Sequence, residues 1–226
     1  MNKTDRAVEA LLAMIRSGRF SVGDRLPTEP ELVAELGVSR SAVREAVQSL
    51  SFAGVLRVRQ GGGTYVTDLE PARLLRSAAI ALDLTSSATI SELYAVRRIL
   101  EPAATTMAVA NLTDEHLETL RELLDEMRTA SDAESFVQAD IAFHDTVAQA
   151  AGNETLRALL AALRSESGLA LIRRAREEEN AEARSITEHE AILAALEVRD
   201  PELAQAATTL HLAAGQRWLD AAQSED

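Results

Sequence analysis

Apolar positions recur at helical spacing from the start of the chain. Over residues 4–17 they return every three or four positions, which predicts an amphipathic helix. Its inward face consists of Val8, Leu11, Leu12 and Ile15. We expect Thr4 to act as the N-cap and Gly18 to end the helix, because a short polar side chain suits the first position and glycine suits the last.

A second and a third helix are predicted to follow in close succession. Thr28 and Glu31 have the spacing of a capping box, which opens the second helix, and Gly37 ends it. The third helix is predicted to begin at Ser39 and to stop at Gly54. Its inward positions are Val43, Ala46, Val47 and Leu50. The short break between the two helices is typical of a helix-turn-helix.

The periodicity then changes to that of β-structure. Residues 55–59 alternate between apolar and basic side chains, which predicts a β-strand. Residues 60–63 form a glycine-rich turn, and residues 64–66 form the returning strand of a hairpin. Three short helices and a β-hairpin predict a winged helix-turn-helix.

From Pro71 onward the pattern is helical throughout. We predict helices near residues 71–82, 89–110, 114–129, 132–150, 154–179, 186–198 and 201–222. Thr113, Ser131 and Asn153 are the expected N-caps, while Gly152 and the Asp200-Pro201 pair mark breaks. The predicted fold class is therefore mainly α, with the winged helix-turn-helix followed by an all-α antiparallel helical bundle.

Composition narrows the kind of core and the kind of site. Only 3% of the 226 residues are aromatic although 46% are hydrophobic, so the core must be built from small and aliphatic side chains. The chain has no cysteine, which excludes disulfides and thiolate metal sites. No apolar run approaches the ~18 residues of a membrane span, and charged residues interrupt the first apolar stretch. We therefore expect a cytoplasmic protein with no membrane partner.

The net charge of −13 is distributed unevenly along the chain. Residues 1–69 carry nine basic and eight acidic groups, whereas the remainder carries 14 basic and 28 acidic groups. Seven of the ten glycines also precede residue 64. The sequence thus predicts two domains, a turn-rich one over residues 1–69 and an acidic helical one over residues 70–226.

Two arginines stand at the leading end of the third helix. Arg40 and Arg44 are four residues apart, so both lie on one face with Ser41, opposite the inward positions. Guanidinium groups placed there suit guanine edges or phosphates in a major groove. The alternative is a solvated helix face on which the arginines pair with Glu45 and Gln48. The glycine-rich hairpin favours DNA binding, because a glycine tip can approach a phosphate backbone closely.

These segments resemble the GntR family of bacterial transcription regulators. The resemblance is carried by the residues GDRLPTE at 23–29, LGVSRSAVREA at 36–46, GVL at 54–56 and GTYV at 63–66. It implies DNA contacts from Ser39, Arg40, Ser41 and Arg44 on the recognition helix and from Gln60 and Gly61 on the wing. Pro30 stands where relatives usually have an arginine that contacts DNA, so the resemblance also implies that this part of operator recognition is lost or altered.

Four residues of the helical segment have the spacing of a metal site. Asp140 and His144 are four residues apart on one helix face. His189 and His211 are each eleven residues from Asp200, so an antiparallel helical hairpin would place them at the same height. One oxygen and three imidazole nitrogens favour Zn²⁺, and suit Ni²⁺ or Mn²⁺ if further ligands complete a larger shell.

The same four residues are also compatible with ordinary roles in a helical protein. An aspartate and a histidine at this spacing commonly form a surface pair, and a histidine in a bundle is commonly a hydrogen-bonded core residue. The fourth histidine, His116, lies on a polar helix face and is expected to be solvated.

The helical segment is also similar to the FCD effector domain of FadR-type GntR regulators. The residues that carry this resemblance are DIAFH at 140–144, AGN at 151–153, EHEAIL at 188–193 and the final histidine, His211. It implies a divalent metal bound by Asp140, His144, His189 and His211. It also implies that Arg97, in the segment VRRILE at 96–101, receives an effector carboxylate; the alternative is an intrahelical pair between Arg97 and Glu101.

Together these features predict a regulator, not an enzyme. We expect a homodimer that binds an inverted-repeat operator in double-stranded DNA and whose binding is modulated by a small organic acid. One alternative is a regulator that senses the metal itself. Another is a metalloenzyme fused to a DNA-binding module, which the lack of a separate general-base glutamate with metal-site spacing disfavours.

Overall fold

The computed structural model describes residues 2–82, 84, 87–164 and 181–223. The chain divides into two compact units, Met1–Ser77 and Ala78–Asp226, which are considered separately. The division falls within helix α4, Pro71–Leu82. The predicted domain boundary after residue 69 stays a prediction.

The first unit contains the predicted three helices and hairpin. Its elements are α1 Lys3–Arg16, α2 Glu29–Leu36, α3 Arg40–Phe52, β1 Leu56–Arg59 and β2 Gly63–Val66. The strands are antiparallel, with Leu56 opposite Val66 and Arg59 opposite Gly63. Apolar residues from all three helices and both strands form one core, which includes Ala7, Leu11, Leu32, Val43, Ala46, Leu50, Leu56 and Val66.

The start of α1 differs from the prediction. Asn2, not Thr4, is the N-cap: its side chain accepts from the Asp5 amide at 2.7 Å, and the Asp5 carboxylate accepts from the Asn2 amide at 3.0 Å. Thr4 cannot form such a reciprocal box because Ala7 stands three residues after it. Its hydroxyl instead donates to Glu45 on α3 at 2.6 Å.

The other two helices of this unit begin and end at the predicted signals. Glu31 accepts hydrogen bonds from both the amide and the hydroxyl of Thr28 at 2.7 Å, and α2 ends at Gly37, whose φ is 62°. The hydroxyl of Ser39 accepts from the Ala42 amide at the start of α3. The helix-turn-helix is therefore fixed by local side-chain caps.

The second unit is an all-α bundle. Beyond α4, its helices in the described ranges are α5 Ser87–Asn111, α6 Asp114–Thr129, α7 Ala133–Ala150, α8 Glu154–Leu163, α9 Ala181–Glu197 and α10 Pro201–Gln223. Leu120, Leu124, Phe136, Phe143, Ile192 and Leu196 are among the residues of its main core. None of the helices over these ranges is long and apolar enough to cross a membrane.

Three predicted details of this unit are wrong. Asp132, not Ser131, caps α7, because its carboxylate accepts from the Ser135 amide at 2.8 Å. Helix α8 ends at Leu163 and not at residue 179, since Arg164 has a non-helical ψ of 78°. Helix α9 already extends back to Ala181, five residues before its predicted start. The rest of the predicted 154–179 helix lies outside the described residues.

The remaining caps hold α5 and its neighbours in place. Thr113 and Asn153 are N-caps as predicted. Between α9 and α10, Arg199 adopts a φ of 53° and donates to the Leu112 carbonyl at 3.0 Å, which closes the end of α5. Helix α5 packs against α7 and α10, and α9 packs against α10. Side chains from these four helices can therefore meet inside the bundle.

Candidate metal centre and DNA-binding surface

Four potential metal ligands converge inside the helical bundle. Asp140 and His144 come from α7, His189 from α9 and His211 from α10, and one ligand atom from each lies within 4.8 Å of all the others. The three histidines are buried, and Asp140 is 15% exposed. The structure thus brings together all four residues that the sequence predicted as a metal site.

Packing and helix geometry place these side chains. The four-residue spacing puts Asp140 and His144 on one face of α7, next to the fully buried Phe143. The ring of Phe143 packs edge-on against His189, with centroids 4.9 Å apart. The α9–α10 hairpin brings the rings of His189 and His211 to 4.5 Å, as their equal distance from Asp200 predicts.

Each histidine has an oxygen next to its Nδ1 atom. Nδ1 lies 2.7 Å from the Ser185 carbonyl in His189, 2.9 Å from a Glu188 carboxylate oxygen in His211, and 3.2 Å from a Glu101 carboxylate oxygen in His144. In His189 and His211 the acceptor holds the ring proton on Nδ1 and leaves a lone pair on Nε2. Glu101 Oε2 lies near Nδ1 of His144 without forming a hydrogen bond, so this contact does not fix the tautomer of that ring.

The Nε2 atoms of the three histidines converge with the Asp140 carboxylate. His144 Nε2 lies 3.2 Å from His211 Nε2, and His189 Nε2 lies 3.3 Å from Asp140 Oδ1 without a hydrogen bond. Burial holds the pKa of His144 well below its usual value, and burial together with His189 lowers the pKa of His211. Among the described residues the buried Nε2 atom of His189 has no hydrogen-bond partner, so the four side chains fit a divalent ion bound by three nitrogens and one oxygen.

A buried carboxylate connects this cluster to two arginines. Glu101 Oε1 accepts from Arg97 Nε at 2.7 Å and lies 3.3 Å from Arg164 Nη2, while Glu101 Oε2 faces His144. Burial acts against the Glu101 charge, but Arg97, Arg164 and His144 hold the pKa of Glu101 well below its usual range. The guanidinium of Arg97 also lies over the Tyr94 ring, 4.7 Å from its centroid. The Arg97–Glu101 pair is thus present, but inside the bundle and not on its surface.

Several residues around the cluster are not indicated by the sequence pattern. The pattern points to Glu101 only as a partner of Arg97, and it does not point to Ser185, Glu188 or Arg164. Ser185 precedes His189 by one helical turn and Glu188 is its neighbour, so local spacing places both near the ligands. No local signal points to Arg164, because its contact with Glu101 joins α5 to the end of α8.

The fourth histidine lies apart from this cluster. His116 takes part in the N-terminal cap of α6, where its Nδ1 atom accepts from the Thr113 amide at 3.2 Å. The residue is half-buried, so it is less solvated than the polar pattern around it predicts.

In the first unit, the predicted DNA-binding side chains of α3 are exposed. Arg40, Ser41 and Arg44 are accessible on one side of the helix, and Ser39 is also exposed as its N-cap. Arg44 is 64% exposed and forms an ion pair at 3.4 Å with Glu29 of α2, not with the neighbours on its own helix. The recognition face is therefore available to DNA, with one acidic neighbour on the preceding helix.

The wing presents its tip to solvent. Gln60 and Gly61 are exposed, and Gly61 has a φ of 68° that permits the tight turn. The Tyr65 hydroxyl donates to the Gly62 carbonyl at 3.0 Å and so supports the tip from the second strand. Pro30 is exposed at the second position of α2. Proline has neither a side-chain donor nor a backbone N–H to offer to DNA at this position.

Comparisons with known proteins identify both units. Residues 3–66 match the model of bacterial regulatory proteins of the gntR family, and residues 92–214 match the FCD domain. The galactonate operon transcriptional repressor of Escherichia coli is 29% identical over 97% of both chains. The transcriptional repressor NanR of Klebsiella aerogenes is 30% identical over 90% of this chain and 80% of its own.

A solved structure supports the same assignment over nearly the whole chain. The GntR protein of Streptococcus agalactiae superposes with a TM-score of 0.61 at 28% identity, covering 95% of this chain and 99% of its own. The relatives and the structural neighbours are transcriptional regulators and not enzymes. The chain therefore belongs to the gntR family and is a transcriptional regulator with an N-terminal helix-turn-helix and a C-terminal FCD domain.

Proposed function

We propose that this regulator is a repressor that binds an inverted-repeat operator as a homodimer and responds to a small carboxylate bound beside a divalent metal. Two relatives that match most of the chain are named as repressors, one of them of a galactonate operon. The exposed face of α3 and the tip of the wing support DNA binding through Ser39, Arg40, Ser41, Arg44, Gln60 and Gly61. One winged helix contacts too little DNA for strong specificity, which favours a dimer.

The arrangement of the histidines is the observation that carries the proposal. Three buried Nε2 atoms and the Asp140 carboxylate lie close together, and each Nδ1 atom faces an oxygen. This donor set favours Zn²⁺, while Ni²⁺ or Mn²⁺ suits it if water or an effector adds ligands. When bound, the ion would supply a positive charge that attracts a carboxylate oxygen. The protein's part is to hold the rings of His189 and His211 in one tautomer and to keep most of the site dry.

Arg97 supports a carboxylate as the ligand. A divalent ion with one aspartate and three neutral histidines keeps a net charge of about +1. The buried Arg97 side chain is separated from the metal ligand His144 by Glu101, because Arg97 contacts one oxygen of this carboxylate and His144 faces the other. Such a positive region inside an acidic domain suits an anion better than a neutral molecule. We therefore assign Arg97 to effector binding, in addition to its pair with Glu101. Hydroxy and keto acids are favoured because a second oxygen can chelate the ion.

Calorimetry of the metal-loaded protein tests the effector assignment. The probes are acetate, lactate, succinate, malate and galactonate, each titrated at fixed saturating metal. We expect at least one acid to bind and to weaken operator binding, Arg97→Ala to abolish acid binding, and Arg97→Lys to give an intermediate affinity because lysine keeps the charge but loses the fork. Arg98→Ala, which removes the exposed neighbouring arginine, is the matched control.

The same titration separates this proposal from a metal sensor. If metal alone changes operator affinity and no acid adds an effect at saturating metal, the ion itself is the signal. If an acid binds equally well to the parent protein and to Arg97→Ala, the role assigned to Arg97 is wrong.

A further inference from the structure

Arg164 is a buried arginine, and one edge of its guanidinium group makes no hydrogen bond to the described residues. It is the first residue after α8, and its side chain is only 6% exposed. Among the described residues, neither its Nε nor its Nη2 atom has a hydrogen-bond partner. These two atoms form one edge of the guanidinium group, and that edge matches the two oxygens of a carboxylate.

Among the described residues, the acid nearest to Arg164 is already shared. Glu101 Oε1 accepts a hydrogen bond from Arg97 and lies 3.3 Å from Arg164 without hydrogen-bonding geometry. Within the described ranges, two buried guanidinium groups therefore face one carboxylate, so their charges together exceed that of the acid they contact. Asp140 and Glu188 contact His189 and His211 instead, at 3.3 and 2.9 Å. A buried cation with unpaired donors is costly unless an anion joins it.

We propose that Arg164 binds a second carboxylate of the effector, which makes the ligand a dicarboxylic acid. This inference rests on the proposed function, since the first carboxylate binds at the metal and Arg97. Arg164 then holds the other end through its Nε and Nη2 edge. Arg97 and Arg164 both lie at Glu101 Oε1, while the metal ligand His144 lies at Oε2, so the first carboxylate spans from the metal to Arg97 and the second extends to the neighbouring Arg164.

Acids that differ by one carboxylate test the inference. The pairs are propionate with succinate, lactate with malate, and butyrate with glutarate, each titrated into the metal-loaded dimer by calorimetry. We expect the best-binding diacid to bind the parent protein at least about tenfold more tightly than its monoacid partner, as befits charge-assisted hydrogen bonds. Arg164→Gln should remove this preference by weakening diacid binding far more than monoacid binding.

Two further variants distinguish recognition from support of the fold. Arg164→Lys keeps the charge beside Glu101 but loses the fork, so it should retain only part of the diacid preference. Arg157→Gln is the matched control, because it replaces an arginine that is partly exposed and paired with Asp145. This variant should keep the full diacid preference. Metal content and melting temperature are measured for every variant. If Arg164→Gln does not fold, Arg164→Lys decides the question.

The possible failures differ from one another. If monoacids bind and no diacid binds more tightly, or if Arg164→Gln weakens both members of a pair alike, the inference is overturned and the proposed function stands. If no acid binds the metal-loaded parent protein, the proposed function fails and the inference falls with it.

Discussion

Glu101 is the residue that joins the candidate metal ligands to the buried arginines. Its two oxygens face Arg97, Arg164 and His144, and its side chain is 4% exposed. Removing its charge takes away the carboxylate that two buried guanidinium groups share. The contribution of such a group lies mainly in the cost of leaving its partners unpaired, not in the strength of any one contact.

We therefore predict that Glu101→Gln lowers the free energy of unfolding by about 3–5 kcal/mol and weakens metal binding by roughly 10–100-fold. Urea denaturation and a metal titration measure the two effects. Glu118→Gln, which removes an exposed partner of Arg121, is the control and should change neither quantity appreciably. If Glu101→Gln lowers the free energy of unfolding by less than about 1 kcal/mol, the buried charges of the arginines are compensated elsewhere.

The histidines predict how the stability of the metal-free protein depends on pH. Burial depresses the pKa values of His144 and His211 in the folded state, so below about pH 6.5 the unfolded chain takes up protons that the folded chain does not. Stability should be fully present above that pH and fall below it, by up to about 1.4 kcal/mol per pH unit for each histidine. Chemical denaturation between pH 7 and 5 in the presence of a chelator measures the slope. His144→Asn should make it shallower, and an unchanged slope would contradict the assignment.

At the scale of elements, local side-chain caps account for several of the helix starts that the sequence predicts. Helix α6 begins at the predicted residue because Thr113 caps it, and α2 begins at its capping box. Helix α8 ends sixteen residues early at Leu163, since the residues that follow are good helix formers and contain no stop signal before Gly168. Its end depends on tertiary contacts such as that of Arg164 with Glu101, which no local pattern encodes.

Two helix-terminal glycines allow backbone strain alone to be compared with backbone strain plus a steric contact to another helix. Gly18 follows α1 with a φ of 75° and open space around it, whereas Gly54 follows α3 with a φ of 79° and an added Cβ atom would lie 2.7 Å from the Arg73 carbonyl oxygen. Gly18→Ala should cost about 1–2 kcal/mol from backbone strain alone. Gly54→Ala should cost at least about 1 kcal/mol more, because a backbone atom must move. Thermal denaturation of both variants measures the difference, and equal losses would show that the Arg73 carbonyl imposes no constraint.

At the scale of the whole molecule, the sequence predicts the candidate metal site better than its surroundings. The four candidate ligands can be recognised because the spacing of Asp140 and His144, and the equal distance of His189 and His211 from Asp200, are read directly from residue numbers. Glu188 is next to His189 along the chain yet pairs with His211, and Arg164 meets Glu101 from another helix. Those pairings depend on how helices far apart in sequence pack, so they require the folded bundle.

Metal binding to ligands from three helices should stabilise the fold by mass action. At a free metal concentration 100 times the dissociation constant the gain is about 2.7 kcal/mol, which corresponds to roughly 5–10 °C in melting temperature for a chain of this size. Chelation should lower the melting temperature by that amount. His189→Ala should remove the difference, and His116→Ala should preserve it. Elemental analysis that finds no metal, with no uptake on titration, would contradict the metal site.

If the protein binds its operator as the proposed homodimer, each recognition arginine acts in two half-sites. If Arg44 reads a base, Arg44→Ala should cost about 1–3 kcal/mol per half-site and relax the base preference there. If it contacts only phosphate, binding to all DNA sequences should weaken alike and the salt dependence of binding should become shallower.

Glu29→Gln, which removes the acidic partner of Arg44 without touching the arginine, is the control and should leave the sequence preference intact. Fluorescence anisotropy with an inverted repeat and with a single half-site, at several salt concentrations, measures these effects. Full and specific binding by the double variant Arg40→Ala/Arg44→Ala would show that α3 is not the recognition helix.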